Sequence, residues 1–249
     1  MSKTSLYGGQ IELEFDERKH VYRVNGKTVP GVTGILGVIS KPALVPWAVK
    51  MCGEYLAKTL KPGIQLDEVE IARLINEMKR RYKDVTAEAA DIGTHVHKWA
   101  EQHAKGENPP WPVNPQVRSG VEAYCAWLEA HHVEPVFVER RIYSRVREFA
   151  GTVDLVAKID GRLCIADFKT SSALYDEMRL QLAAYQYALE EEHENMIFAA
   201  RYVLRFPKDG GQFEAHELQN YERDLTAFLA ALELSRTLNA IKYASKRAA

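Results

Sequence analysis

Asp154, Asp167 and Lys169 carry the most informative spacing in the chain. They lie in the runs GTVDLVAKI (151–159) and RLCIADFK (162–169), which Asp160-Gly161 joins. Asp-Gly between two alternating runs is a strong short-range signal for a two-residue hairpin turn. Such a turn pairs Ile159 with Arg162, so Lys158 faces Leu163, Val156 faces Ile165, and Asp154 faces Asp167. Residues directly opposite across antiparallel strands have Cβ atoms about 4.5–5.5 Å apart, where like charges repel. Lys169, two positions beyond Asp167, shares that face by the period of two. A hard divalent cation, held by one or two carboxylates with water and phosphate oxygens, would complete the charge balance. Lys169 could then orient or deprotonate a water while the cation polarises a phosphate, the equipment of phosphodiester hydrolysis. For an isolated D-x-K the plain alternative is a solvated hairpin. Against it, LVAKI and LCIA are apolar on both faces, as in a buried central sheet, where an unpaired carboxylate is costly.

A histidine can reach this face from a helix. In TAEAADIGTHVHKWAEQHAKG (86–106), Gly93, His97 and Glu101 are spaced four apart and share one side of a helix. Glycine there costs about 1 kcal/mol relative to alanine, so its presence implies close packing against a neighbour. His97 would bring an imidazole nitrogen to the same cation. His95 points elsewhere, and Glu101 reads equally well as a salt-bridged helix residue.

The elements that must position these groups are legible from periodicity. IELEFDERKHVYRVNGKTVPGV (11–32) alternates like a small β-meander. Helical spacing follows over Ala43–Thr59 and Leu66–Tyr82, broken at Pro62-Gly63, with a third helix over Thr86–Lys105. The proline-rich stretch 107–115 is a loop. After it come a helix over Val117–His131, strands at 136–144, 151–159 and 162–169, and a helix over Ala173–His193. A strand at 196–206, a turn at PKDGG, a strand near 212–218 and a helix from Asn220 complete the chain. The middle therefore reads αβββαβ. The expected division is an extension over 1–85 and a core over 86–249.

The formal charge of −1 excludes a globally basic nucleic-acid binder and leaves local patches as the route to a polyanion. Cys52, Cys125 and Cys164 form no C-x-x-C pair, which disfavours zinc, iron–sulfur and disulfide frameworks and implies a reducing, intracellular setting. With no apolar leader and no long apolar run, neither secretion nor membrane insertion is expected.

G-T-H-V-H at 93–97, G-T-V-D at 151–154, D-F-K-T at 167–170, and Gln181 with Tyr185 together resemble the RecB-like exonuclease branch of the PD-(D/E)XK nuclease superfamily. VPGVTGIL near the N-terminus is similar to a segment of phage-encoded and mitochondrial-type members. The resemblance implies an α/β, restriction-endonuclease-like core with a central mixed sheet flanked by helices, plus the N-terminal β/helical extension. It also implies His97, Asp154, Asp167 and the Phe168 carbonyl as ligands of Mg2+ or Mn2+, with Lys169 orienting water. Gln181 and Tyr185 would complete the catalytic set, although on spacing alone they read equally as core. Glu139 matches an acidic position of the family, or else an exposed strand edge. Val153 replaces the motif's proline, and the chain cannot build the four-cysteine cluster of some relatives.

The implied activity is metal-dependent hydrolysis of linear DNA or single-stranded ends in recombination, repair or replication, in the cytoplasm of a bacterium or phage-infected cell, alongside recombination or replication proteins. An endonuclease on the same fold and a non-catalytic DNA-binding partner are the alternatives. RRIYSRVR (140–147) and KRRYK (79–83) are candidate phosphate contacts, and Trp47, Trp99 and Trp111 candidate stacking residues.

Overall fold

The computed structural model describes residues 1–40, 44–171, 173–206 and 213–248, with the backbone alone for 81–86, 88–90 and 246–248. Residues 1–39 with 96–249 form one compact unit and residues 40–95 a second. The expected PKDGG turn lies outside the described residues.

The first unit opens with an antiparallel four-stranded sheet, β1 (Ser2–Leu6), β2 (Ile11–Asp16), β3 (Val21–Val24) and β4 (Lys27–Val29), followed by the short helix α1 (Val32–Leu36). The alternation from Ile11 onward signals β2 to β4. β1 is a weak signal because only Leu6 of its five residues is buried.

The expected αβββαβ order is present. It comprises α4 (Pro115–Ala130), β5 (Val133–Ser144), β6 (Phe149–Ile159), β7 (Arg162–Lys169), α5 (Asp176–Glu192) and β8 (Ala200–Arg205). β9 (Glu214–Leu218) and α6 (Tyr221–Ala248) follow. The sheet order is β5-β6-β7-β8-β9, antiparallel except for β7 and β8. A parallel neighbour demands a crossover, and α5 supplies it. This is a mixed α/β, restriction-endonuclease-like architecture with an added N-terminal sheet. Pro115 belongs to α4, against the expectation of a loop. It takes the first helical turn, where a missing N–H is harmless, behind Asn114, whose side chain accepts from Gln116 N at 2.9 Å.

One face of the sheet packs Val156, Ile165 and Val203 against Leu182, Tyr185 and Leu189 of α5 and Phe228 and Leu232 of α6. On the other face, Phe168 and Phe206 meet Tyr124 of α4. Each fully buried Leu, Ile or Phe contributes on the order of 1.5–3 kcal/mol, enough to hold a few polar groups in an unfavourable setting.

The second unit contains α2 (Leu44–Thr59) and most of α3 (Glu68–Ala104), joined across Pro62-Gly63 as expected, with Tyr55 donating to Glu77. The two helices expected over 66–82 and 86–105 are one helix. No proline or glycine separates them, and a single internal glycine, Gly93, is tolerated. The boundary expected between 85 and 86 thus falls inside α3, whose last turns from Val96 belong to the first unit. Among the described residues no helix is long and apolar enough to cross a membrane.

Candidate active site

The β6–β7 turn sets the geometry. Asp160 and Gly161 have φ values of 50° and 80°, the paired left-handed conformation of a type I′ turn. The register from Ile159↔Arg162 to Leu155↔Ala166 is the one expected. Regular pairing stops one step before Asp154 and Asp167, where the Asp154 carboxylate accepts the Phe168 N–H at 2.7 Å. Across the other edge of β6, Val138 pairs with Leu155 and Arg140 with Val153, so Glu139 stands opposite Asp154. Three carboxylates thus lie abreast on three adjacent strands and line one cleft. Glu139 has a φ of 51°, a conformation costing on the order of 1–3 kcal/mol for a non-glycine residue and frequent at functional sites.

Their electrostatics reflect burial against too little positive charge. Burial is the main cause in each case. It pushes the Asp154 carboxyl up, with Lys169 and the Phe168 N–H opposing. Asp167 is pushed up to about 6 against the pull of Lys169, and Glu139 to about 8, aided by the charges of Asp154 and Glu101. Burial would lower Lys169, but Asp167 and Asp154 outweigh it and hold the ammonium charged. Its Nζ contacts Asp167 Oδ2. His97, from the last turns of α3, places Nδ1 3.6 Å from Asp154 Oδ2. Burial and then Lys169 push its imidazole down to about 4, so the ring is neutral near pH 7 and offers a lone pair.

Gln181 and Tyr185 of α5 are buried side by side, Gln181 Nε2 donating to Tyr185 Oη at 2.7 Å, and both line the cleft. Tyr185 lies over Gly151, where an added Cβ would come within 2.5 Å of its ring. Gly151 is therefore needed for the close approach. The cleft, of about 260 Å3, is also lined by Phe15 and Tyr22 of the N-terminal sheet, by His20 on its β2–β3 turn and by Thr33. Tyr22 Oη shares a hydrogen bond with Thr152 Oγ1 at 2.9 Å, and Ala150 N donates to Pro30 O at 2.9 Å. Sequence reasoning missed this wall, because nothing in the meander's own spacing reports what it packs against.

Residues 114–246, a little over half of the 249, match the PD-(D/E)XK nuclease superfamily. The chain belongs to that superfamily. Glu139, Asp154, Asp167, Lys169, Gln181 and Tyr185 lie inside the matched region, and His97 precedes it. No curated protein matches the chain by sequence. Among solved structures, the crystal structure of SSO0001 aligns over 79% of this chain and 86% of that one, with 13% identity and a TM-score of 0.35. So loose a likeness does not bear on function.

Nucleases of this superfamily usually use divalent metals such as Mg2+ or Mn2+. The donor set fits such an ion: three carboxylates, Asp167 buried and Asp154 and Glu139 partly so, one neutral imidazole, and Lys169 as the ammonium that now partners Asp167 Oδ2. Among the described residues no three His, Cys, Asp or Glu side chains are already drawn together to hold one. The Lys169 ammonium and the Phe168 N–H instead occupy carboxylate oxygens. The Phe168 ring is buried on the opposite face, 5.8 Å from that of His97.

The remaining candidates divide. Arg140 is paired with Glu192 at 2.7 Å, Arg141 sits over the Phe15 ring, and Arg145 covers Tyr7 and bonds Gln10. Most of RRIYSRVR therefore stabilises the fold. Of KRRYK, the side chains of 81–83 lie outside the described residues. Trp99 is core, stacked on His103 and donating to Pro110 O, whereas Trp111 is exposed and Trp47 half-buried. His95 is exposed and bonded to Asp91 O, and Glu101 is paired with Lys105.

Proposed function

We propose that the chain is a divalent-metal-dependent deoxyribonuclease that degrades linear DNA from its ends. The observation that carries this reading is the row Glu139, Asp154 and Asp167, partly to fully buried and faced by a charged Lys169 and a neutral His97 in one cleft. Asp154, Asp167, His97 and the Phe168 carbonyl would hold Mg2+ or Mn2+, which when bound supplies Lewis-acid polarisation of the phosphate and neutralises its charge. Lys169 orients the attacking water and holds it near the phosphorus. Asp154, which lines the cleft, is held in place by the Phe168 N–H. Glu139, its carboxyl raised, can hold a proton at neutral pH beside the other two acids. Gln181 and Tyr185 wall the site, and Tyr185 remains a hydroxyl donor because burial holds its proton firmly.

The likeness of GTHVH, GTVD, DFKT, Gln181 and Tyr185 to the RecB-like branch supports attack at ends, in recombination, repair or replication of a bacterium or phage. The test is incubation with Mg2+ or Mn2+ and 5′- or 3′-labelled linear DNA beside a covalently closed circle. Loss of linear DNA alone, with label released progressively from one end, is expected. Cutting of the circle would make the enzyme an endonuclease.

A further inference from the structure

The N-terminal sheet brings to the cleft an exposed ring that hydrolysis does not use. Phe15 and Tyr22 are buried and stacked, with centroids 4.5 Å apart and planes 29° apart. His20, on the β2–β3 turn, caps the pair edge-on, 5.1 Å from Phe15 and 6.4 Å from Tyr22. It is solvent-exposed, yet it lines the same cleft as Asp154, Asp167 and Lys169. The chain holds it there at a φ of 53°, a conformation uncommon for residues with a side chain. Its two aromatic neighbours are tied down in turn, Tyr22 by Thr152 and Phe15 by the Arg141 guanidinium above its ring. A rigid aromatic pair supporting an exposed third ring, in the same cleft as the groups that would cut a phosphate, is a stacking platform for a base.

We propose that His20 binds the DNA strand by stacking on a nucleobase next to the scissile phosphate, so that the N-terminal sheet forms part of the substrate site. This rests on the nuclease reading above. Stacking of one base on an aromatic side chain is worth about 1–3 kcal/mol, so loss of the ring should weaken binding about 5- to 150-fold. The substitution of choice is His20→Asn, since asparagine tolerates positive φ and leaves the turn intact.

The experiment measures single-turnover cleavage of end-labelled oligonucleotides in Mg2+, with single abasic positions moved along the strand, for the unsubstituted protein, His20→Asn and His20→Trp. His20→Asn should raise the half-saturating protein concentration about 5- to 150-fold without changing the maximal rate, and His20→Trp should restore it. One abasic position should weaken binding to the unsubstituted protein and have no further effect on His20→Asn, the signature of a direct pair. Unchanged affinity of His20→Asn, or an abasic profile identical in both proteins, would overturn the platform while leaving the nuclease in place. Absence of any metal-dependent cleavage by the unsubstituted protein would overturn both.

Discussion

Two aspartate–histidine pairs lie along one stretch of chain, one midway along β6 and one at the turn that follows it, and the two differ in everything but residue type. At the turn, Asp160 accepts His131 Nδ1 at 2.7 Å and the His132 N–H at 2.9 Å in full solvent, and these bonds pull its carboxyl below the usual range. Midway along the strand, Asp154 and His97 lie within a protein-lined cleft, and burial drives the carboxyl up and the imidazole down. The first pair is satisfied and finished. The second belongs to a set of acidic groups in which Lys169 is the main counter-charge of Asp154 and Asp167, an arrangement that a cation can complete. Chemistry at this strand is thus set by burial and unmet charge rather than by residue types.

Three substitutions would sharpen or break that contrast, taken from the largest expected effect to the smallest. Lys169→Ala should lower the cleavage rate by roughly 10^2- to 10^4-fold, the range for a positioned proton-handling group. The fold should survive, because Asp167, already raised to about 6, can take up a proton when its partner is gone. Single-turnover rates with a thermal melt would show this, and near-normal hydrolysis would remove Lys169 from the site. Gly151→Ala should cost about 1–3 kcal/mol of stability in a denaturant melt, because the new methyl group collides with the Tyr185 ring. Tyr185→Leu in the same background should recover part of that loss; no recovery would place the strain elsewhere. Asp160→Asn should leave cleavage unchanged and shift the melting temperature only slightly. Because the folded-state pKa of Asp160 is depressed, its contribution is present above the ordinary carboxylate range and lost as pH falls through the lowered value. The variant should differ from the parent above that window and converge with it in acid.

The hairpin, its register and the αβββαβ order were legible because each rests on local chemistry: a turn pair, a period of two, a change to helical spacing. Asp154, Asp167 and Lys169 were legible as one face for the same reason, whereas His97 joins them only through the packing of the last turns of α3. Other features depend on contacts between distant segments. Gly151 is explained only by Tyr185 above it. Glu139 gains its meaning from standing opposite Asp154, and His20 and Tyr22 from a sheet folded against β6. The continuous α3 was not expected, although Lys83, Asp84 and Val85 between the two expected helices include no helix breaker.

The most direct test of the central claim is calorimetric titration of Mn2+ into the unsubstituted protein, Asp154→Asn and Asp160→Asn without DNA. The account predicts saturable binding that Asp154→Asn abolishes and Asp160→Asn retains. It also predicts that Asp154→Asn is at least as stable as the parent without metal, since the amide oxygen can still accept the Phe168 N–H while a buried charge is removed. Equal binding by all three proteins, or none by the parent, would contradict it.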